Sequence, residues 1–136
     1  MAAEKEWSDK GVKAYVPDDD AEINPKPYGN PVSTGNFTVI RDLVNFEVVN
    51  KHTKKPVSGF PTSKPMVITV CYTEADATAA GGANKLKLAM WDDKSKNWKN
   101  IPINKASSCP FEGFAGAYEA KITSRWADPP VAWGGG

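Results

Sequence analysis

The sequence predicts an all-β fold: an antiparallel β-sandwich of about seven short strands preceded by an extended N-terminal arm. Three observations predict it. Apolar and polar residues alternate with period two in several runs, MVITVCYT (66–73) and GAYEAKIT (116–123) among them. The chain carries 11 glycines and 11 prolines, mostly between those runs, where they punctuate turns. Residues 60–103 then read as strand, small-residue bend, strand, tight acidic turn and strand: PTSKPMVITVCYT, EADATAAGGAN, KLKLAMW, DDKSKN and WKNIPIN.

In chain order, residues 1–35 are expected to be an extended proline-rich arm. The stretch PDDDAEINPKPYGNP is turn after turn, with prolines at 17, 25, 27 and 31. Proline cannot donate to a ladder, so this stretch is excluded from a central strand. Trp7 and Tyr15, the latter in VKAYV, are its docking handles. The body, 36–133, begins with NFTVIRD, where Phe37, Val39 and Arg41 alternate with Thr38 and Ile40. LVNFEVVN sets Val44, Phe46 and Val48 against Leu43, Asn45, Glu47 and Val49. NKHTKKPVSGF is a connection. MVITVCYT puts Met66, Ile68, Val70 and Tyr72 on one face and Val67, Thr69 and Cys71 on the other. Both faces are apolar enough for a central strand.

EADATAAGGAN is the single helical candidate, one or two turns stopped by Gly81 and Gly82. KLKLAMW points Leu86, Leu88 and Met90 inward, and WKNIPIN is its hairpin partner. GAYEAKIT sets Tyr118, Ala120 and Ile122 against Glu119, Lys121 and Thr123. Residues 134–136 form a glycine tail.

At 136 residues the chain suits one domain with a real core, and its 40% hydrophobic content argues against global disorder. Lys plus Arg number 17 and Asp plus Glu 16, a net charge of +1. That balance argues against a nucleic-acid partner and removes one defence against self-association. No window holds the roughly 18 apolar residues of a membrane span. The polar start MAAEKEWSDKG lacks a signal-peptide pattern, so the expectation is a cytoplasmic, already processed or excised chain.

Four runs carry a resemblance: FEVVNKHTKKPVSGF (46–60), KPMVITVCYT (64–73), LKLAMWDDKSKNW (86–98) and ITSRWADPPVAW (122–133). Together they resemble immunoglobulin-like β-sandwich modules of bacterial secreted and cell-surface proteins, over residues 36–133. The resemblance implies an extracellular structural module without catalytic residues, and it brings no functional residue to carry over.

Cys71 lies in a strand and Cys109 in the loop SSCPFEG. They read either as two unrelated thiols or as one disulfide. The disulfide is favoured on condition of an oxidising compartment, where it would add roughly 3–4 kcal/mol by chain entropy.

The remaining constellations read as scaffold. Asp18, Asp19, Asp20 and Glu22 lack the glycine and bidentate glutamate spacing of a calcium loop, so a solvated acidic turn is expected. Asp92 and Asp93 are adjacent on a turn, where paired acids point apart. His52, the single histidine, sits in NKHTKK with no nucleophile elbow in the chain. Asn36-Phe37-Thr38 is a glycosylation triplet. No catalytic residue, metal or cofactor is assigned.

The expected function is a non-enzymatic extracellular module that self-assembles into a fibre or surface array by β-strand addition. Trp7 and Tyr15 of the arm, with Val131 and Trp133 of the C-terminal segment, are the self-association candidates. One alternative is a carbohydrate-binding module stacking sugars on Trp91 and Trp98, with a polysaccharide partner. The other is an inert spacer of a larger surface protein.

Overall fold

A computed structural model describes residues 2–29, 32–57, 59–123 and 130–135. The first strands are β1 (Ala3–Trp7), β2 (Val12–Val16), β3 (Ala21–Pro25), β4 (Thr38–Asp42), β5 (Phe46–Asn50) and β6 (Met66–Tyr72). Helix α1 (Glu74–Ala80) and a 3₁₀ turn (Ala83–Lys85) follow. The chain continues through β7 (Lys87–Asp92), β8 (Asn97–Ile101), β9 (Asn104–Lys105), β10 (Gly116–Ile122) and β11 (Val131–Gly135). The all-β expectation holds, and the strands of the described residues form three antiparallel sheets. One has the order β1-β2-β6-β10-β9, a second β4-β11-β7-β8, and β3 pairs with β5.

Period-two alternation is what lets the sheets face each other. Met66, Ile68 and Val70 of β6, with Ala120 and Ile122 of β10, meet Leu88, Val131 and Trp133 of the second sheet in one core. Cross-strand register fixes these faces: Val70 pairs with Tyr118 and Ile68 with Ala120. Helix α1 forms where the sequence places it. Thr73 Oγ1 accepts the Asp76 amide at 3.0 Å and Asp76 Oδ2 accepts the Thr73 amide at 2.9 Å, a reciprocal capping box. Gly81 closes the helix at φ +89°.

The N-terminal segment departs from the extended arm expected for 1–35. Residues 3–16 form a hairpin whose second strand lies inside the first sheet, Val12 opposite Val70 and Tyr15 opposite Val67. Val12, Ala14 and Val16 are core residues at no more than 1% exposure. The proline argument does not reach this hairpin, because the first proline is Pro17. Pro25 ends β3, where a missing donor is tolerated.

The C-terminal segment departs in the same sense. Gly134 and Gly135 are not a tail but the end of β11, paired with Val39 and Thr38 of β4. A Cβ on Gly134 would stand 2.2 Å from the Phe37 ring and 2.6 Å from the Thr38 carbonyl. Only glycine allows that approach. On the side of the sheet away from the main core, Phe37, Ala89, Trp98 and Ala132 form a second buried cluster, with Val39 and Trp91 against it.

A bulge corrects one more expectation. Trp133 pairs with Arg41 but Gly134 with Val39, so the register skips Ile40. Val39 thus joins the outer cluster, whereas Arg41 reaches across toward the first sheet instead of sharing a face with Phe37 and Val39.

Candidate functional site

Polar contacts converge at the end of β6, on Cys71. Its side chain is bonded to Cys109, with a Cα–Cα distance of 5.6 Å across 38 residues of sequence. Its amide donates to the Gly11 carbonyl at 2.7 Å, holding the tip of the β1–β2 hairpin. Its carbonyl accepts Trp133 Nε1–H at 2.9 Å and Arg41 Nη2–H at 3.3 Å. One residue therefore ties both terminal segments, the 109 loop and both main sheets.

Arg41 extends that junction. Its Nε and Nη2 fork onto the Asp76 carboxylate at 2.9–3.2 Å, and Nη1 donates to the Lys10 carbonyl at 3.1 Å. The Asp76 side chain is 5% exposed and Arg41 24%. Burying a carboxylate is costly unless it is paired and fully hydrogen-bonded, and here a guanidinium and the helix cap satisfy it. Sequence alternation cannot find this pair: Asp76 lies in a helix and Arg41 is turned inward by the bulge.

The terminal residues read as contact points divide. Val131 and Trp133 are 1% and 0% exposed, with Val131 bonded to Leu43 and Val44 and its carbonyl also accepting Tyr28 Oη–H at 2.8 Å. Both are core residues of an internal strand, which corrects their assignment to self-association. Trp7 packs on Phe46 at 5.4 Å between ring centres. Tyr15 alone of the four is a large exposed side chain, at 38%. It lies on the outer face of the first sheet, in a shallow groove with Glu4, Lys13, Val67, Thr69 and Glu119, walled by residues 106–108 and 110.

The stacked-tryptophan platform is corrected too. Trp91 and Trp98 do face each other across β7 and β8, edge to face at 5.3 Å. Trp98, however, is buried, and its indole N–H donates to the Val32 carbonyl at 2.8 Å beneath residues 32–37. The pair braces its hairpin, with Trp98 buried and Trp91 half-buried, so the two rings do not form one open platform. Trp126 lies outside the described residues.

The charged constellations are surface features. Asp92 and Asp93 sit on the β7–β8 turn, each held below the usual carboxylate range. For Asp92 the leading cause is the Lys99 hydrogen bond, followed by Ser95 and the Lys94 amide; for Asp93 it is Lys96. His52 is exposed, 3.1 Å from Asp20 Oδ1. Asp18 folds its own turn by accepting the Asp20 amide at 2.9 Å. Asn36 donates to the Trp98 carbonyl at 3.3 Å. Among the described residues no group of three or more His, Cys, Asp or Glu is arranged to hold a metal ion. No described helix is long and apolar enough to cross a membrane. Compared with protein-family models, with curated proteins and with solved structures, the chain matches none.

Proposed function

We propose that the chain is a non-enzymatic structural module of a secreted or cell-surface protein, an immunoglobulin-like β-sandwich in type. The observation that carries this reading is the junction at Cys71. A disulfide persists in oxidising compartments and is rare where cytosolic thiol reductants act. The buried Asp76 and Arg41 are both committed to holding sheets and helix together, so their chemistry is spent on the scaffold. β2 links β1 to β6 within the first sheet, and β11 of the second sheet packs against α1, which follows the end of β6.

The test is the protein's location in its natural host. External protease should degrade it in intact cells, or it should appear in the culture fluid. A protein found only in the cytosol would overturn the proposal.

A further inference from the structure

We propose that the shallow groove on the outer face of the first sheet is a binding site for an extended neutral polysaccharide, held by Tyr15, Lys13, Thr69 and Glu119. This goes beyond the structural-module reading and gives the module an adhesive role. The register lays out the floor of the groove. Glu4, Tyr15 and Val67 stand opposite one another in one cross-strand row, and Lys13, Thr69 and Glu119 in the next. All six point away from the core, because their strand neighbours Ala3, Ala14, Ile68 and Ala120 pack into it. Adjacent strands lie about 4.8 Å apart, so the row from Lys13 to Glu119 is about 10 Å long.

A sheet face alone is flat. Residues 106–108 and 110 wall this one into a groove of about 430 Å³, inside the roughly 300–1,000 Å³ range of small-ligand sites. The wall is fixed covalently, since Cys109 is bonded to Cys71, which follows Thr69 on the same outward face of β6. The groove is therefore formed before any ligand arrives, which lowers the ordering cost of binding.

The lining selects the ligand class. The hydroxyls of Tyr15, Thr69, Ser107 and Ser108 and the Glu119 carboxylate make no hydrogen bond or ion pair among the described residues. Lys13 is in a loose 3.6 Å pair with Glu4. The set thus offers an acceptor-only carboxylate, a donor-only ammonium and hydroxyls that do both. The neighbouring hydroxyls of a sugar ring are matched by that mixture, and its C–H face by the Tyr15 ring beside Val67. Tyr15 is the single exposed large aromatic side chain among the described residues.

Other ligands fit less well. An anion would meet both Glu4 and Glu119. A metal ion finds no group of three or more His, Cys, Asp or Glu among the described residues. A peptide strand finds no open backbone, because β6 is already paired on both sides across the floor.

The experiment is an NMR titration of the isotopically labelled full chain with cellohexaose, mannohexaose, xylohexaose and chitohexaose, four extended neutral chains. An open groove with one aromatic contact binds weakly, so a Kd between about 0.1 and 1 mM is expected for at least one of them. The amides that shift should cluster at residues 13–15, 67–69, 106–109 and 119. Tyr15→Ala should weaken binding about tenfold and Glu119→Ala severalfold, each with an unchanged amide spectrum away from the groove. Tyr15→Phe, which keeps the ring, should bind within about threefold of the parent. The proposal is overturned if none of the four probes shifts the groove, if the shifts gather elsewhere, or if both alanine variants bind as the parent does. It is overturned as well if the groove amides shift with protein concentration alone, which would mark the face as a contact between copies. Each of these failures leaves the structural-module reading intact, since that reading is decided by where the protein resides.

Discussion

Replacing Asp76 by Ala should be among the most damaging single changes in the molecule that leaves its hydrophobic core whole. Asp76 accepts three contacts from Arg41 at 2.9–3.2 Å and the Thr73 amide at 2.9 Å. Its removal leaves the Arg41 guanidinium without a counter-charge, and breaking a buried pair this way costs about 3–5 kcal/mol. Arg41 keeps its Lys10 and Cys71 carbonyl partners and about a quarter of its side-chain surface in solvent, so the lower end applies, about 3 kcal/mol. The assay is urea unfolding followed by circular dichroism. With a slope of about 2 kcal/mol/M, the midpoint should fall by about 1.5 M. The double variant Arg41→Met/Asp76→Leu should recover at least half of that loss, because an apolar pair of similar volume replaces an ion pair at little net cost. A single-variant shift under about 0.5 M, or a double variant no more stable than Asp76→Ala, would refute the reasoning.

Four further outcomes are expected. Reducing Cys71–Cys109 should lower stability by about 3–4 kcal/mol for a closed loop of this length, measured by denaturant midpoint with and without reductant. Gly134→Ala should cost about 1–3 kcal/mol, because the new Cβ meets backbone at Thr38 O as well as the Phe37 ring; a neutral thermal shift would contradict that packing. Tyr28 and Tyr118 should ionise late, Tyr28 raised by burial and then by Asp42, Tyr118 by burial and then by Tyr72. The folded state keeps these protons after the unfolded state has begun to lose them, so stability should fall above about pH 10, and a phenylalanine at either position should remove one late step from an absorbance titration. Asp92, held low first by Lys99, contributes above the ordinary carboxylate pKa and loses that contribution as pH falls through its depressed value, so amide protection factors in the β7–β8 turn, taken against the intrinsic exchange rate at each pH, should fall on acidification, less so in Asp92→Asn.

Where alternation was strong, the sequence was legible. The faces of β6 and β10, the β7–β8 hairpin with Trp91 opposite Trp98, and the short helix stopped by Gly81 all lie where period and turn chemistry put them. The β1–β2 hairpin was not legible, because Ala3–Trp7 is a charged edge strand whose stability comes from its neighbour rather than its own pattern. Gly134 and Gly135 looked like a tail because their strand role depends on contacts distant in sequence, Phe37 against Gly134 and Ala80 and Ile40 against Gly135. The Arg41–Asp76 fork needed the bulge at Ile40, and a one-residue slip reverses every face that follows it.

The central claim, a disulfide-tied structural module working outside the cytosol, is tested most directly by trapping thiols in the natural host. Cells are quenched in acid, free thiols are alkylated under denaturing conditions, and the intact mass of the protein is read. The account predicts a chain with neither Cys71 nor Cys109 labelled. Two labels on the bulk of the protein would contradict it.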